Sequence, residues 1–258
     1  MNNPLLKVDN ISIVFGGLTA VDGFSMEIMP NEIIGLIGPN GAGKTTVFNM
    51  ITGVYQPTNG NIYVAGESIK QKKIHQVVKM GVARTFQNIR LFGQLTVLQN
   101  VMVGFDQQMK SGIFSSMLRL PKFNKEHKNY TKKAMELLKI FNLDEYADTM
   151  AQNLQYGKQR RLEIARAMAT NPKVLCLDEP AAGMNPTETE ELMEMIRYIK
   201  TNYNIAILLI EHDMNLVMNI CEKIHVLEYG KEIAYGLPNE IANNKRVIQA
   251  YLGSDDIA

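Results

Sequence analysis

The 258-residue sequence is short of anything that would hold it together other than its own core. It has two cysteines, Cys176 and Cys221, both set in apolar segments. That excludes a disulfide scaffold and reads as two small buried hydrophobes in a reducing compartment. Long apolar runs are missing. The longest, 205–210, falls far short of the roughly 18 residues that a membrane span needs. The opening Met1-Asn2-Asn3-Pro4 has no charged stretch leading into an apolar one, as an export leader would. The expectation is a cytosolic chain, unless a partner holds it at a membrane. Charge of one sign is missing too: 27 Lys and Arg face 26 Asp and Glu, and a net charge of +1 offers no global attraction to nucleic acid or anionic lipid. There is no internal repeat and no low-complexity tract. What remains is 46% hydrophobic and 21% charged, an ordinary globular composition that excludes disorder and collagen. A chain this long forms one to two domains and buries about 70–75% of its unfolded surface.

The first 30 residues alternate and turn like antiparallel strands: Val8, Ile11, Ile13 and Phe15 lead into Gly16-Gly17, and Phe24, Met26 and Ile28 end at Pro30. Residues 32–38 read as a short buried strand, followed by a glycine-rich turn and a helix over 45–51 that stops at Gly53. From about 84 to 153 the period becomes helical, with Ala134, Leu137, Leu138 and Phe141 on one face, as in an inserted subdomain. Residues 174–177 and 205–210 are continuous apolar strands. Between them Leu192, Met195, Ile196 and Ile199 form a helix stripe, so the two strands pair in parallel. The tail predicts a hairpin turning at Tyr229-Gly230 and one last helix over 240–252. The fold class is α/β: a mixed sheet around the glycine-rich turn, an antiparallel strand layer and a helical subdomain. The expected division is a core of 1–84 and 154–258, interrupted by the helical part at 85–153.

Three strand ends carry chemistry. Gly38-Pro39-Asn40-Gly41-Ala42-Gly43-Lys44-Thr45-Thr46 has the spacing of a phosphate loop. Its glycines let backbone N–H groups turn inward around an anion, and the helix N-terminus adds positive charge. Lys44 reaches the outer phosphates and the Thr45 hydroxyl can ligate magnesium. Asp178 and Glu179 follow a buried strand, where parallel sheets present their ligand sites. Asp178 can hold magnesium and Glu179 can orient a water and take its proton, although such a pair can also be merely solvated. His212 follows the 205–210 strand and can donate to a terminal phosphate oxygen; alone it could equally be a satisfied surface group.

These residues, in this order, resemble the nucleotide-binding subunit of an ATP-binding cassette transporter, over nearly the whole chain. The resemblance implies ATP as substrate and Mg2+ as its cofactor. It implies an ATP hydrolase in which Lys44 and the loop amides hold phosphate, Thr45, Asp178 and Gln87 hold the metal, Glu179 is the base, and His212 and Gln87 sense the γ-phosphate. Phe15 lies where the family stacks adenine; on spacing alone it could as well share a core face with Ile11 and Ile13. Gln155-Tyr156-Gly157-Lys158 occupies the family's signature position. The opening Phe15-Gly16-Gly17-Leu18-Thr19-Ala20-Val21-Asp22, the stretch Glu179-Pro180-Ala181-Ala182-Gly183-Met184-Asn185-Pro186 and the long insertion resemble the branched-chain amino-acid importers. Their implied partners are permease subunits, a second ATPase chain (identical or paralogous) clamped head to tail, and indirectly a substrate-binding protein. Nucleic acid is not among them. The implied place is the cytoplasmic face of the membrane. An exporter of lipopolysaccharide or other lipid, uptake of other amino acids or amides, and a soluble cassette ATPase remain open, whereas a kinase or GTPase lacks its base-specific or acceptor motif.

The family's signature carries serine where this chain has Gln155, which is expected to weaken that helix end by about 1 kcal/mol. Lys158, Arg160 and Arg161 crowd the same positive end, which favours an anion docking there; a tolerated variant explains it equally well. The stretch 104–130 sets five cations (Lys110, Arg119, Lys122, Lys125, Lys128) against Asp106 and Glu126, either solvated or facing lipid headgroups. Ile89, Leu91, Phe92, Val97, Leu98 and Met102 read as the permease-receiving groove or as subdomain core.

Overall fold

The computed structural model describes residues 3–108 and 121–252. Two sheets share the chain. β1 (Leu6–Phe15) and β2 (Leu18–Ile28) form a hairpin through Gly16 and Gly17, both at positive φ. β4 (Asn59–Val64) and β5 (Glu67–Ser68) extend it, giving an antiparallel layer in the order β2-β1-β4-β5. The second sheet is built around β3 (Ile33–Ile37), in the order β10-β9-β3-β8-β7-β6. Its strands β6 (Val82–Arg84), β7 (Val174–Asp178), β8 (Ala206–Ile210), β3 and β9 (Lys223–Glu228) run in parallel, and β10 (Lys231–Gly236) closes one edge antiparallel.

Every residue of β3, β7 and β8 is buried because both faces of this sheet are covered. Side chains alternate between two cores. Ile34, Leu36, Cys176, Leu208 and Ile210 face the antiparallel layer and helix α1 (Lys44–Ile51), packing with Ile11, Phe24, Ile28 and Phe48. Ile33, Ile37, Leu175, Leu177, Ile207 and Leu209 face the opposite way. There they meet Leu192, Ile196 and Ile199 of α6 (Pro186–Tyr203) and the helices α3 (Val97–Phe105), α4 (Pro121–Ile140) and α5 (Tyr156–Met168). Each such Leu or Ile contributes about 1.5–3 kcal/mol by leaving water. A short α2 (Ile74–Met80) precedes β6, and α7 (Met214–Ile220) follows β8.

Three details differ from the sequence reading. The alternation of β1 does not reach Phe15: register shifts after Val8, Ile11 and Ile13 rotate the strand, so Ile11 and Ile13 are buried while Phe15 is 43% exposed. Arg84 belongs to strand β6 rather than to the helical stretch. The single tail helix is two, α8 (Pro238–Ala242) and α9 (Lys245–Leu252). The Asn244 side chain accepts from the amides of Arg246 and Val247 and so begins a new helix. Of the basic stretch 104–130, Lys110, Arg119 and the side chain of Lys122 lie outside the described residues.

Candidate functional site

The loop after β3 is shaped by its glycines. Gly38 has φ +148, and a Cβ there would sit 2.1 Å from the backbone oxygen of Leu227, so no other residue fits. Gly43 caps α1 in the left-handed conformation without a side chain, and none of the first-turn amides is taken by a capping group. The helix therefore offers its N–H groups and partial positive charge to an anion. Lys44 is buried and its Nζ donates to the carbonyls of Gly38 (2.6 Å) and Pro39 (3.0 Å). Burial pushes the Lys44 ammonium pKa below its usual value, and the carboxylates of Glu179 and Asp178 oppose that.

In front of this loop lies a cleft of about 490 Å³. Asn40, Gly41, Ala42, Gly43, Lys44, Thr45 and Thr46 line it, together with Gln87, Glu179 and His212. Three segments distant in sequence thus meet on one carboxylate. Glu179 Oε2 accepts from Gln87 Nε2 at 2.9 Å, and Oε1 lies 2.9 Å from His212 Nε2. Glu179 itself has φ +47, a conformation that costs a non-glycine residue about 1 kcal/mol or more, and its amide donates to the Ile210 carbonyl at 2.8 Å. The strained backbone holds a partly exposed carboxylate in the cleft lining, where it can accept a proton from water. Next to His212, buried Glu211 accepts from the amides of Ala181 (2.8 Å) and His212 (3.1 Å) and fixes this turn. Burial raises the Glu211 pKa, and those hydrogen bonds oppose it.

Asp178 is brought close but does not line the cleft. Its Oδ2 pairs with Arg84 Nη2 at 2.7 Å, and Arg84 Nη1 donates to Asn49 Oδ1 of α1 at 2.6 Å. The guanidinium lies within about 5.5 Å of the rings of Phe48 and Phe86, at 5.4 and 5.2 Å. Among the described residues no cluster of three or more His, Cys, Asp or Glu could hold a metal. Magnesium takes one or two protein oxygens and completes its shell with phosphate and water; the Thr45 hydroxyl, in the cleft lining, could serve as one of them, whereas Asp178 is engaged by Arg84.

Phe15 and the signature residues lie outside the cleft lining. Phe15 meets Tyr55 edge-on at 5.2 Å and pairs across the hairpin with Leu18, which does line the cleft. Gln155 caps α5 with no side-chain hydrogen bond, as its type predicts. Tyr156 is exposed, and Gly157 is buried so tightly that a Cβ would meet Glu188 at 2.8 Å. The expected crowd of cations awaiting an anion at this helix end is not there. Lys158 donates to the Tyr146 hydroxyl at 2.8 Å over the same ring, Arg161 pairs with Glu191, and Arg160 is wholly buried against Glu163 at 3.0 Å. Each finds a partner within the chain.

Sequence reasoning gave no site role to Arg84, Glu211 or Tyr229, and read Arg160 only as one of three cations open to an anion. A charged residue next to an apolar run, as at Arg84 after Val82-Ala83 and Glu211 after β8, signals a buried charge in need of a partner. Tyr229, exposed at the β9–β10 turn with φ +48, lines the cleft beside Leu18, Thr19 and Ala20 and carries no such signal.

The chain is 49% identical over 253 residues to the high-affinity branched-chain amino acid transport ATP-binding protein LivG of Escherichia coli K12, covering 98% of this chain and 99% of that one. BraF of Pseudomonas aeruginosa, described in the same terms, is 44% identical over the same coverage. A solved ATP-binding cassette of an ABC transporter in its ADP conformation superposes with a TM-score of 0.84 at 30% identity, covering 97% of this chain and 99% of that one. The family profile described as branched-chain amino acid ATP-binding cassette transporter matches residues 231–257, and that of ABC transporters matches 21–182. The phosphate loop, Gln87 and Glu179 fall within the second match, and the chain belongs to the ABC transporter family.

Proposed function

We propose that the chain is the ATP-hydrolysing subunit of an importer of branched-chain amino acids. The observation that carries the reading is the convergence of Gln87 and His212 on Glu179 beside the phosphate loop. Lys44 and the amides of Gly41, Gly43, Thr45 and Thr46 bind the phosphates, and Gly38 with Pro39 holds Lys44 in place. Asn40 and Ala42 complete the loop. Thr45, Asp178 and Gln87 would hold Mg2+, which when bound neutralises charge on the β- and γ-phosphates. Glu179 accepts the proton of the attacking water, Gln87 orients it, and His212 donates to the γ-phosphate oxygen. Phe15, exposed beside Leu18, stacks the adenine.

Gln155 and Tyr156 are exposed, Lys158 is half-buried and Gly157 is buried beneath them, and none of the four lines the cleft of their own chain. They serve the cleft of a second ATPase chain bound head to tail. With Gln155 in place of the family's serine, that opposite cleft turns over slowly. No helix among the described residues is long and apolar enough to cross a membrane. The pair acts at the cytoplasmic face beneath two permease subunits, with a binding protein delivering the amino acid outside. The identity to LivG across 98% of the chain and the match of the tail to the branched-chain profile support this substrate over lipid or lipopolysaccharide export. Uptake of radiolabelled leucine, isoleucine and valine by cells lacking the chain should fall and be restored by the wild-type chain but not by Lys44→Ala. Unchanged uptake would remove the substrate assignment.

A further inference from the structure

Arg160 and Glu163 form an ion pair with side chains 0% and 1% exposed, three residues apart on α5. Burying two charges is costly unless their remaining hydrogen-bonding positions are filled, and here, apart from the unpaired Arg160 Nε, they are filled from one short segment. Arg160 Nη1 donates to the Phe86 carbonyl at 2.5 Å and Nη2 to the Gln87 carbonyl at 2.7 Å. Glu163 Oε1 accepts from the amides of Phe86 at 3.4 Å and Arg90 at 3.3 Å. The pair grips the backbone of 86–90 on both its donor and acceptor sides. The side chain of the gripped Gln87 is the one that reaches Glu179.

We infer that Arg160 and Glu163 are positioning residues: through the backbone of Gln87 they set its carboxamide on Glu179, so that hydrolysis registers where α5 lies. This rests on the role proposed for Gln87. The helix that carries the clamp begins at Gln155 and Tyr156, the surface offered to the second ATPase chain, and Arg160 stands little more than one turn along it. A shift of α5 at that surface moves the Gln87 carbonyl directly, with two hydrogen bonds and two side chains, those of Arg160 and Gln87, between the helix and the base.

The test uses the transporter complex purified through this chain. Arg160→Met with Glu163→Met removes both charges together, leaving neither buried alone. ATP affinity, read with a fluorescent nucleotide, should stay within about twofold, because the phosphate loop is untouched. The kcat should fall at least tenfold, and adding Gln87→Ala to this background should cost less than twofold more. If Gln87→Ala costs its full wild-type factor in that background, or kcat is unchanged, the pair is only structural and the inference fails. If Gln87→Ala has no effect in the wild-type chain, the role of Gln87 is what fails. Should the double variant lose nucleotide binding, Arg160→Lys decides: it keeps the charge opposite Glu163 but lacks the planar fork that reaches both carbonyls. Its kcat should fall with KM unchanged, and a wild-type kcat would overturn the inference.

Discussion

Replacing Glu179 with glutamine separates binding from chemistry more cleanly than any other change at this site. The side chain keeps its size and removes one negative charge. In the wild-type chain both carboxylate oxygens are engaged, one by Gln87 Nε2 and one by His212 Nε2, each at 2.9 Å. A carboxamide offers one acceptor and one donor, so at most one of these bonds survives without a change of His212 tautomer. The proton acceptor is lost altogether. General base catalysis contributes about 10² to 10⁴ in rate, or roughly 3–5 kcal/mol at about 1.4 kcal/mol per tenfold. The phosphate cradle is built from Gly38 to Thr46 and does not depend on Glu179, so ATP affinity should change only a few-fold. The assay is steady-state and single-turnover ATPase of the complex beside nucleotide titration and size analysis. The expected result is kcat down 10² to 10⁴-fold and a long-lived ATP-bound dimer. A variant that hydrolyses ATP within threefold of the wild-type rate would refute the role of Glu179.

Other outcomes follow from the same structure. Gln155→Ser should supply the cap that α5 lacks, stabilise the chain by about 1 kcal/mol in urea titration, and raise ATPase in the assembled complex; an unchanged rate would end the idea of a slow opposite cleft. Gly38→Ala would drive a methyl group into the Leu227 carbonyl and should cost about 3 kcal/mol or more with loss of ATP binding, so an unshifted urea midpoint would contradict the loop geometry. Cys176 is fully buried with its thiol pushed up to about 12, and burial pushes Cys221 up as well. Neither should react with iodoacetamide at neutral pH until denaturant opens the core, and labelling of the native chain would count against this packing.

Strands covered on both faces leave continuous apolar runs, and this is why β3, β7 and β8 were legible from sequence with the sites at their ends. The phosphate loop was legible because its glycines serve a local backbone need. What escaped depends on partners far along the chain. Arg84 reaches Asp178 across 94 residues, and Arg160 reaches Phe86 and Gln87 across 74 and 73. Counting charges at the start of α5 therefore suggested an anion site where the folded chain supplies Tyr146, Glu163 and Glu191 instead. Phe15 shows the same limit on a smaller scale, since three register shifts within β1 move it off the face that strict alternation assigns. The break between α8 and α9 did leave a local trace in Asn243-Asn244, a cap signal inside an otherwise helical pattern.

The central claim is that hydrolysis at Glu179 is coupled to uptake of branched-chain amino acids. It is tested most directly by the ATPase rate of the complex drawn from membranes through this chain and reconstituted with its binding protein, with and without leucine, isoleucine or valine. The account predicts a rate that rises severalfold when any of the three is supplied and that vanishes in Glu179→Gln. An active complex whose rate is the same with and without them would contradict it.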